Sequence, residues 1–401
     1  MRPAGMLDRC AAARSSLPMD ETAPRQDTVL GPVFIGAEIY RHSSYGAHHP
    51  LRVARVSTVT DLARALGWLP AERYVTSPRA KPAALRIWHE PAYLDALVRA
   101  EASGRVSEAT RRAHGLGTQS NPVFAEMYRR PATAAGAALW AGARLAAVPA
   151  GTVFSPAGGT HHGRPGRASG FCYLNDPVLA ILGLRRGGIG RIAYVDIDAH
   201  HGDGVEDAFA GDPRTLLISI HEEGRWPFTG RPGDDGGGNA FNLPLPRGAG
   251  DGAMRAALEG LILPRLAAFA PEAIVLQCGV DALAEDPLSR LAMSNNAHVA
   301  VVRAVRGMAP RLLVTGGGGY NPWSVGRAWA RIWAALTDAK APDRLPPEGE
   351  AVLRALSWPG HRLGRNPPEA WMTTLADPPH EGEVPAELRA RIAALARRAG
   401  P

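Results

Sequence analysis

Five short apolar runs, each ending in polar residues or glycines, constrain this chain more than anything else in it. They read "GTVFSPAGGTHH" (151–162), "RIAYVDID" (191–198), "TLLISIH" (215–221), "EAIVLQCGVD" (272–281) and "PRLLVTGGGGY" (310–320). Their apolar residues are nearly continuous rather than alternating, the pattern of parallel strands buried on both faces. Between them, segments such as "GAMRAALEGLILPRLAAF" and "NAHVAVVRAVRGMA" space their apolar residues by three and four, as crossover helices do. Strand-to-strand distances of roughly 30–50 residues suit βαβ units with some long loops. The expected fold is therefore α/β, a parallel sheet with helices on both faces. His161, His162, Asp198, His200, His221, Asp281 and Tyr320 all fall at or just past the C-terminal ends of predicted strands. In open parallel sheets that edge is where the ligand crevice forms.

Composition narrows the function classes. With 45% hydrophobic and 21% charged residues, the chain is an ordinary globular one. No stretch approaches the roughly 18 uninterrupted apolar residues of a membrane span, so no membrane partner is expected. The net charge of +7 invites a nucleic-acid reading, but the excess is spread over 43 arginines against Lys81 and Lys340. No block of consecutive basic residues concentrates it, so no specific nucleic-acid partner is expected. Three cysteines (Cys10, Cys172, Cys278) form neither a disulfide framework nor a zinc knuckle. That favours a reducing, cytoplasmic compartment, with Cys172 read as a buried small hydrophobe. Residues 1–33 read as a leader, with Met19 an alternative start. The Pro-rich segment 339–350 reads as the end of the main body, and residues 377–401 as a C-terminal helix and tail.

Three motifs carry chemistry. In "VDIDAHHGDG" (195–204), Asp196 and Asp198 are expected on one face of a strand. Asp198 and His200, with the distant Asp281, make an O, N, O set of the kind that holds zinc and leaves a position for water. In isolation the motif reads more readily as a turn or helix cap; the strand that feeds it and the glycines that follow reverse that balance in favour of a metal. "GGTHHG" (158–163) offers two imidazoles, His161 and His162, on a glycine-flanked loop. Such a histidine can take a proton from a water acidified by a metal, and works better with a carboxylate fixing its tautomer; Asp196 and Asp203 are available for that. "TGGGGYNP" (315–322) is either a phosphate cradle, though no Lys-Ser/Thr follows, or a glycine run that delivers Tyr320 as an oxyanion donor. Together the three describe metal-assisted hydrolysis of an amide.

These residues resemble the arginase/deacetylase superfamily, and within it the zinc-dependent histone deacetylases, notably the bacterial acetoin-utilisation branch. "HHPLRVAR", "GGTHHG", "GFCYLND", "VDIDAHHGDGVEDAF", "ISIHEEGRWPFTG", "QCGVDALAEDP" and "GGGGYNPW" occur in the family's order over about residues 34–376. The resemblance implies a single α/β catalytic domain over 34–376 with an eight-stranded parallel sheet. It places Asp198, His200 and Asp281 on the zinc ligands, His162 on the general base and His161 on its electrostatic partner. Asp203 and Asp196 match the carboxylates behind the two histidines, and Tyr320 the tyrosine that steadies the transition state. Phe171 and Trp226 match the aromatic walls of the acyl-lysine tunnel, with Gly170 beside them. Arg55 matches an arginine lining an internal acetate-release channel. A potassium ion near Asp196 and Ser219 is a further implication.

The activity so implied is hydrolysis of the amide of acetylated lysine, in a protein or peptide, to free amine and acetate. Small acetylated amines such as acetylpolyamines are the alternative substrates. Two positions depart from the family pattern. The rim loop that usually offers an acidic residue reads "GLGTQSNPVF", with Gln119 and Ser120 there. Leu288 stands where a polyamine-selective relative is acidic, which argues against a polycationic substrate. A binuclear manganese ureohydrolase would need a further carboxylate where Gly279 stands. An inactive acetyl-lysine-binding protein is the remaining rival.

Overall fold

The computed structural model describes residues 28–401. Eight strands, all paired in parallel, form one sheet. They are β1 (Leu30–Gly36), β2 (Tyr74–Thr76), β3 (Gly151–Ser155), β4 (Ile192–Asp196), β5 (Thr215–Glu222), β6 (Ala240–Leu245), β7 (Ala273–Gln277) and β8 (Arg311–Thr315). Their order across the sheet is β2-β1-β3-β8-β7-β4-β5-β6. The five runs read from sequence are β3, β4, β5, β7 and β8; the two edge strands and β1 complete the eight.

Both faces are apolar, which is why the strand sequences do not alternate. Phe154, Val195, Ile218, Leu276 and Val314 point to one face. Their neighbours Val153, Tyr194, Leu217, Val275 and Leu313 point to the other. The first face is covered by helices Val56–Ala65, Asn295–Val305, Pro322–Thr337 and Ala386–Arg397. The second is covered by Arg129–Ala146, Asp176–Arg186 and Asp203–Phe209. Local chemistry starts these helices. Asn175 accepts from Val178 N and Asn321 from Trp323 N, each with proline in the first turn.

Two boundaries differ from expectation. Leu30 pairs with Gly151, so β1 begins inside the segment read as a leader; Gly31 and Pro32 interrupt the apolar run and hide it. Residues 1–27 of that leader, with Cys10 and Met19, lie outside the described residues. The Pro-rich segment does not end the body either. Leu345, Leu353, Trp358, Trp371 and Leu375 pack with Leu62 and Trp323, and the last helix buries Leu388 and Ile392 in the main core. Cys172 and Cys278 are buried and form no disulfide, and among the described residues no helix is long and apolar enough to cross a membrane.

The register matters most for function. Ser155, Thr315, Gln277, Asp196 and Ser219 are paired in one row across five adjacent strands. Past that row the chain leaves β4 towards β5 and leaves β7 towards β8, in opposite directions. The resulting crevice is the topological switch point of the sheet.

Candidate active site

Asp198 and Asp281 follow β4 and β7, one on each side of the crevice. β4 closes at Asp196, so Asp198 lies in the bend beyond it rather than on the strand, with its N–H bonded to Asp196 Oδ1 (3.1 Å). Asp198, His200 and Asp281 each offer a ligand atom within 4.8 Å of the others, and all three are buried. Each carboxylate is held by hydrogen bonds and turns one oxygen inward, the Oδ1 of Asp198 also accepting from His200 N (3.0 Å). Asp198 Oδ2 accepts from Gly318 N (2.7 Å) and Gln277 Nε2 (2.9 Å), while Asp281 Oδ1 accepts from Ala199 N (2.9 Å). The inward oxygens, Asp198 Oδ1 and Asp281 Oδ2, lie 3.2 and 2.8 Å from His200 Nδ1. Burial disfavours a charged His200, but Asp281 and Asp198 outweigh it and push its pKa up to about 10. The three ligand atoms converge on one point, the place a divalent cation would take. The donor set fits such an ion.

Two imidazole–carboxylate pairs stand beside this cluster. His161 Nδ1 lies 2.7 Å from Asp196 Oδ2, and His162 Nδ1 lies 2.7 Å from Asp203 Oδ1. Their loop is pinned by Asp176, which accepts from the N–H groups of Gly159 and Thr160. The rings are 4.0 Å apart, and their environments drive them to opposite charge states. Burial opposes the cation at His161, but Asp196 and Asp198 prevail and push it up to about 9. Burial and the neighbouring His161 charge lower His162 to about 3, against its hydrogen bond to Asp203. His162 is neutral with its proton on Nδ1, and its Nε2 carries the lone pair.

Tyr320 is delivered by the glycine run, whose Gly318 N–H is spent on Asp198. That resolves the reading of the run as a phosphate cradle: it packs against the carboxylates of the cluster. Burial, then Asp281 and Asp198, keep the Tyr320 phenol protonated, and Asp286 holds its backbone N–H (2.7 Å). The Phe171 ring lies 5.8 Å from Tyr320, and the Trp226 ring 4.6 Å from His162. Trp226 is 37% exposed; a Cβ on Gly170 would lie 2.2 Å from its ring, so only glycine admits it. Leu288 packs with the cluster that contains Tyr320. Arg55 lines the cavity behind the centre and donates to the Gly317 carbonyl. Gln119 and Ser120 are exposed, and the Ser120 carbonyl meets His49 Nε2 (3.2 Å). His221 alone among the strand-end residues turns away, bonded to Ser219 Oγ and the Gly230 carbonyl.

A histone deacetylase domain model matches residues 49–336. The chain belongs to the histone deacetylase family. Membership makes it a hydrolase of that family. It is 34% identical over 328 residues to the acetoin utilization protein AcuC of Bacillus subtilis, spanning 79% of this chain and 84% of that protein. It is 35% identical over 313 residues to histone deacetylase 9 of Arabidopsis thaliana, spanning 75% and 72%. The crystal structure of a family homologue from Aquifex aeolicus aligns with a TM-score of 0.85 at 32% identity, covering 91% of this chain and all of that one.

Several functional neighbours escape sequence reading. Gln277 is visible only as one polar residue ending an apolar strand, and Asp176 only as the acid of "YLNDP". Tyr194, whose hydroxyl donates to Asp196 Oδ2 (2.6 Å), reads as plain core.

Proposed function

We propose that this chain is a zinc-dependent deacetylase that hydrolyses the amide of acetylated lysine in a protein or peptide, releasing acetate. The observation that carries the reading is the pair of histidines, each with its Nδ1 2.7 Å from a buried carboxylate, beside a buried O, N, O cluster. Asp198, His200 and Asp281 would hold the zinc, which when bound supplies a Lewis acid for a carbonyl oxygen and lowers the pKa of a water.

The chain's own residues do the rest. Trp226 and Phe171 flank the lysine stem and keep water from it. Tyr320 donates its hydroxyl to the amide oxygen as negative charge builds there. His162 takes a proton from the attacking water at Nε2 while Asp203 holds its Nδ1–H. The imidazolium so formed then hands the proton to the leaving amine. His161, kept cationic by Asp196, stabilises the anionic intermediate. Leu288 offers no carboxylate to a second ammonium, which favours acetyl-lysine over acetylpolyamines. Gly279 favours one metal over two, because a Cβ there would lie 1.8 Å from Asp198 Oδ2. A potassium ion near Asp196 and Ser219, and a cytoplasmic location, belong to the same reading.

Metal analysis combined with turnover of a fluorogenic acetyl-lysine peptide tests it. One zinc per chain is expected, with turnover abolished by chelator and restored by zinc. Two manganese ions with guanidine hydrolysis, or binding of the peptide without turnover, overturns it.

A further inference from the structure

Trp226 stands beside His162 and Leu288 packs with the cluster containing Tyr320, yet the two come from different loops. One buried carboxylate reaches both loops. Glu222 ends β5 and is only 6% exposed. Its backbone N–H donates to the carbonyl of Ala199 (2.9 Å), the residue between Asp198 and His200, which fixes its main chain to the O, N, O cluster. Its side chain accepts from both loops. Arg225 forks onto it, Nε to Oε2 (2.9 Å) and Nη2 to Oε1 (2.7 Å), and the Arg290 N–H also comes to Oε2 (2.7 Å). Arg225 precedes Trp226, and the Phe228 N–H returns to the Arg225 carbonyl (2.8 Å), closing the turn that carries Trp226. Arg290 follows Leu288 by two residues, and on the other side of Leu288 the Asp286 carboxylate accepts the N–H groups of Leu288 (2.9 Å) and Tyr320 (2.7 Å). The Leu288 segment is therefore slung between two buried carboxylates, Asp286 leading to Tyr320 and Glu222 leading to Trp226. A simple surface ion pair would fix little. A forked arginine on a buried carboxylate that also holds a backbone N–H fixes geometry.

We propose that Glu222, with Arg225, is a positioning residue that braces the Trp226 loop against the Leu288 loop and so sets the gap through which the acylated side chain passes. Its effect is exerted through Trp226 and Leu288, not at the reacting atoms. The consequence for the substrate rests on the deacetylase reading, whereas the tie between the loops does not.

Hydrogen exchange read by mass spectrometry tests the tie without turnover. Arg225→Met is expected to speed exchange about tenfold in residues 224–230 and also in residues 286–293, as loss of a charge-assisted hydrogen bond would. Glu222→Gln, with one acceptor oxygen for three donors, is expected to do the same. Arg255→Met, which removes a surface pair with Glu381, changes neither segment. Thermal unfolding checks that each variant is folded. Acceleration confined to residues 224–230, or none in either variant, overturns the proposal. Kinetics then test the positioning role on an acetyl-lysine peptide with zinc-loaded enzyme. Arg225→Met is expected to raise KM about tenfold with kcat within threefold of wild type. Arg225→Lys, which keeps the charge without the fork, is expected to fall between the two. In a Trp226→Ala background the Arg225→Met change is expected to add nothing further. An equal rise in both backgrounds, or a fall in kcat with KM unchanged, overturns the positioning role. Failure of wild type to cleave any acylated lysine sinks the deacetylase reading and leaves the exchange measurement to decide this one.

Discussion

Replacing Asp203 by asparagine tests the base assignment through a constraint specific to this chain. Asp203 Oδ1 faces His162 Nδ1 at 2.7 Å, and its Oδ2 receives the guanidinium of Arg164. An asparagine has one acceptor oxygen, and Arg164, which can only donate, will claim it. The amide NH₂ then faces His162 Nδ1 and forces that nitrogen to accept. The ring proton moves to Nε2, the atom that has to receive the proton of the attacking water. A tautomer fixed the wrong way round costs about 10²–10⁴ in kcat, or about 2.7–5.4 kcal/mol of transition-state stabilisation. The assay is steady-state cleavage of an acetyl-lysine peptide by zinc-loaded enzyme, with metal content and unfolding midpoint checked. Adding Arg164→Met to Asp203→Asn frees the amide to rotate, so the double variant is expected to recover about tenfold over the single one. Turnover within threefold of wild type in Asp203→Asn would refute the assignment of His162 as base.

Removing the Tyr320 hydroxyl with Tyr320→Phe is expected to lower kcat by about 10²–10³ with little change in KM, as for other oxyanion donors; full turnover in that variant excludes the role. Leu288→Glu is expected to shift kcat/KM towards acetylpolyamines over acetyl-lysine peptide by about tenfold, measured on both substrates. Stability is expected to fall with acid through His89, which burial holds near a pKa of about 4. Folded His89 stays neutral while the unfolded chain takes up a proton near 6.5. Its contribution is therefore present above pH 6.5 and lost as pH falls from there towards 4, at up to about 1.4 kcal/mol per pH unit. Denaturant midpoints across that range, compared with His89→Gln, report it.

The strands and the convergence of Asp198, His200 and Asp281 are legible in the sequence because strand ends announce themselves: β4, β7 and β8 each stop at the first polar or glycine residues after an unbroken apolar run. Asp198, His200, Asp281, His161, His162 and Tyr320 all sit at such stops. What stays hidden depends on side chains arriving from unrelated elements. Arg130 lies in the first turn of an alanine-rich helix, and only the fold sets it over Tyr40 and Tyr45. Gln277 looks like the polar end of a strand until the pairing puts it level with Asp196. The early start of β1 is masked by Gly31-Pro32, and the late packing of Trp358 and Trp371 by the prolines around them.

The levelled row from Ser155 to Ser219 makes the candidate site a gauge of how the strands are aligned. A one-residue insertion within β7 would displace Asp281 along the sheet by about 3.3 Å relative to Asp198, too far for both to grip the same ion. The same insertion in a helix-to-strand loop would be absorbed before it reached the row. Metal affinity across a set of single-residue insertions would therefore chart which stretches of this chain act as ruler and which as slack.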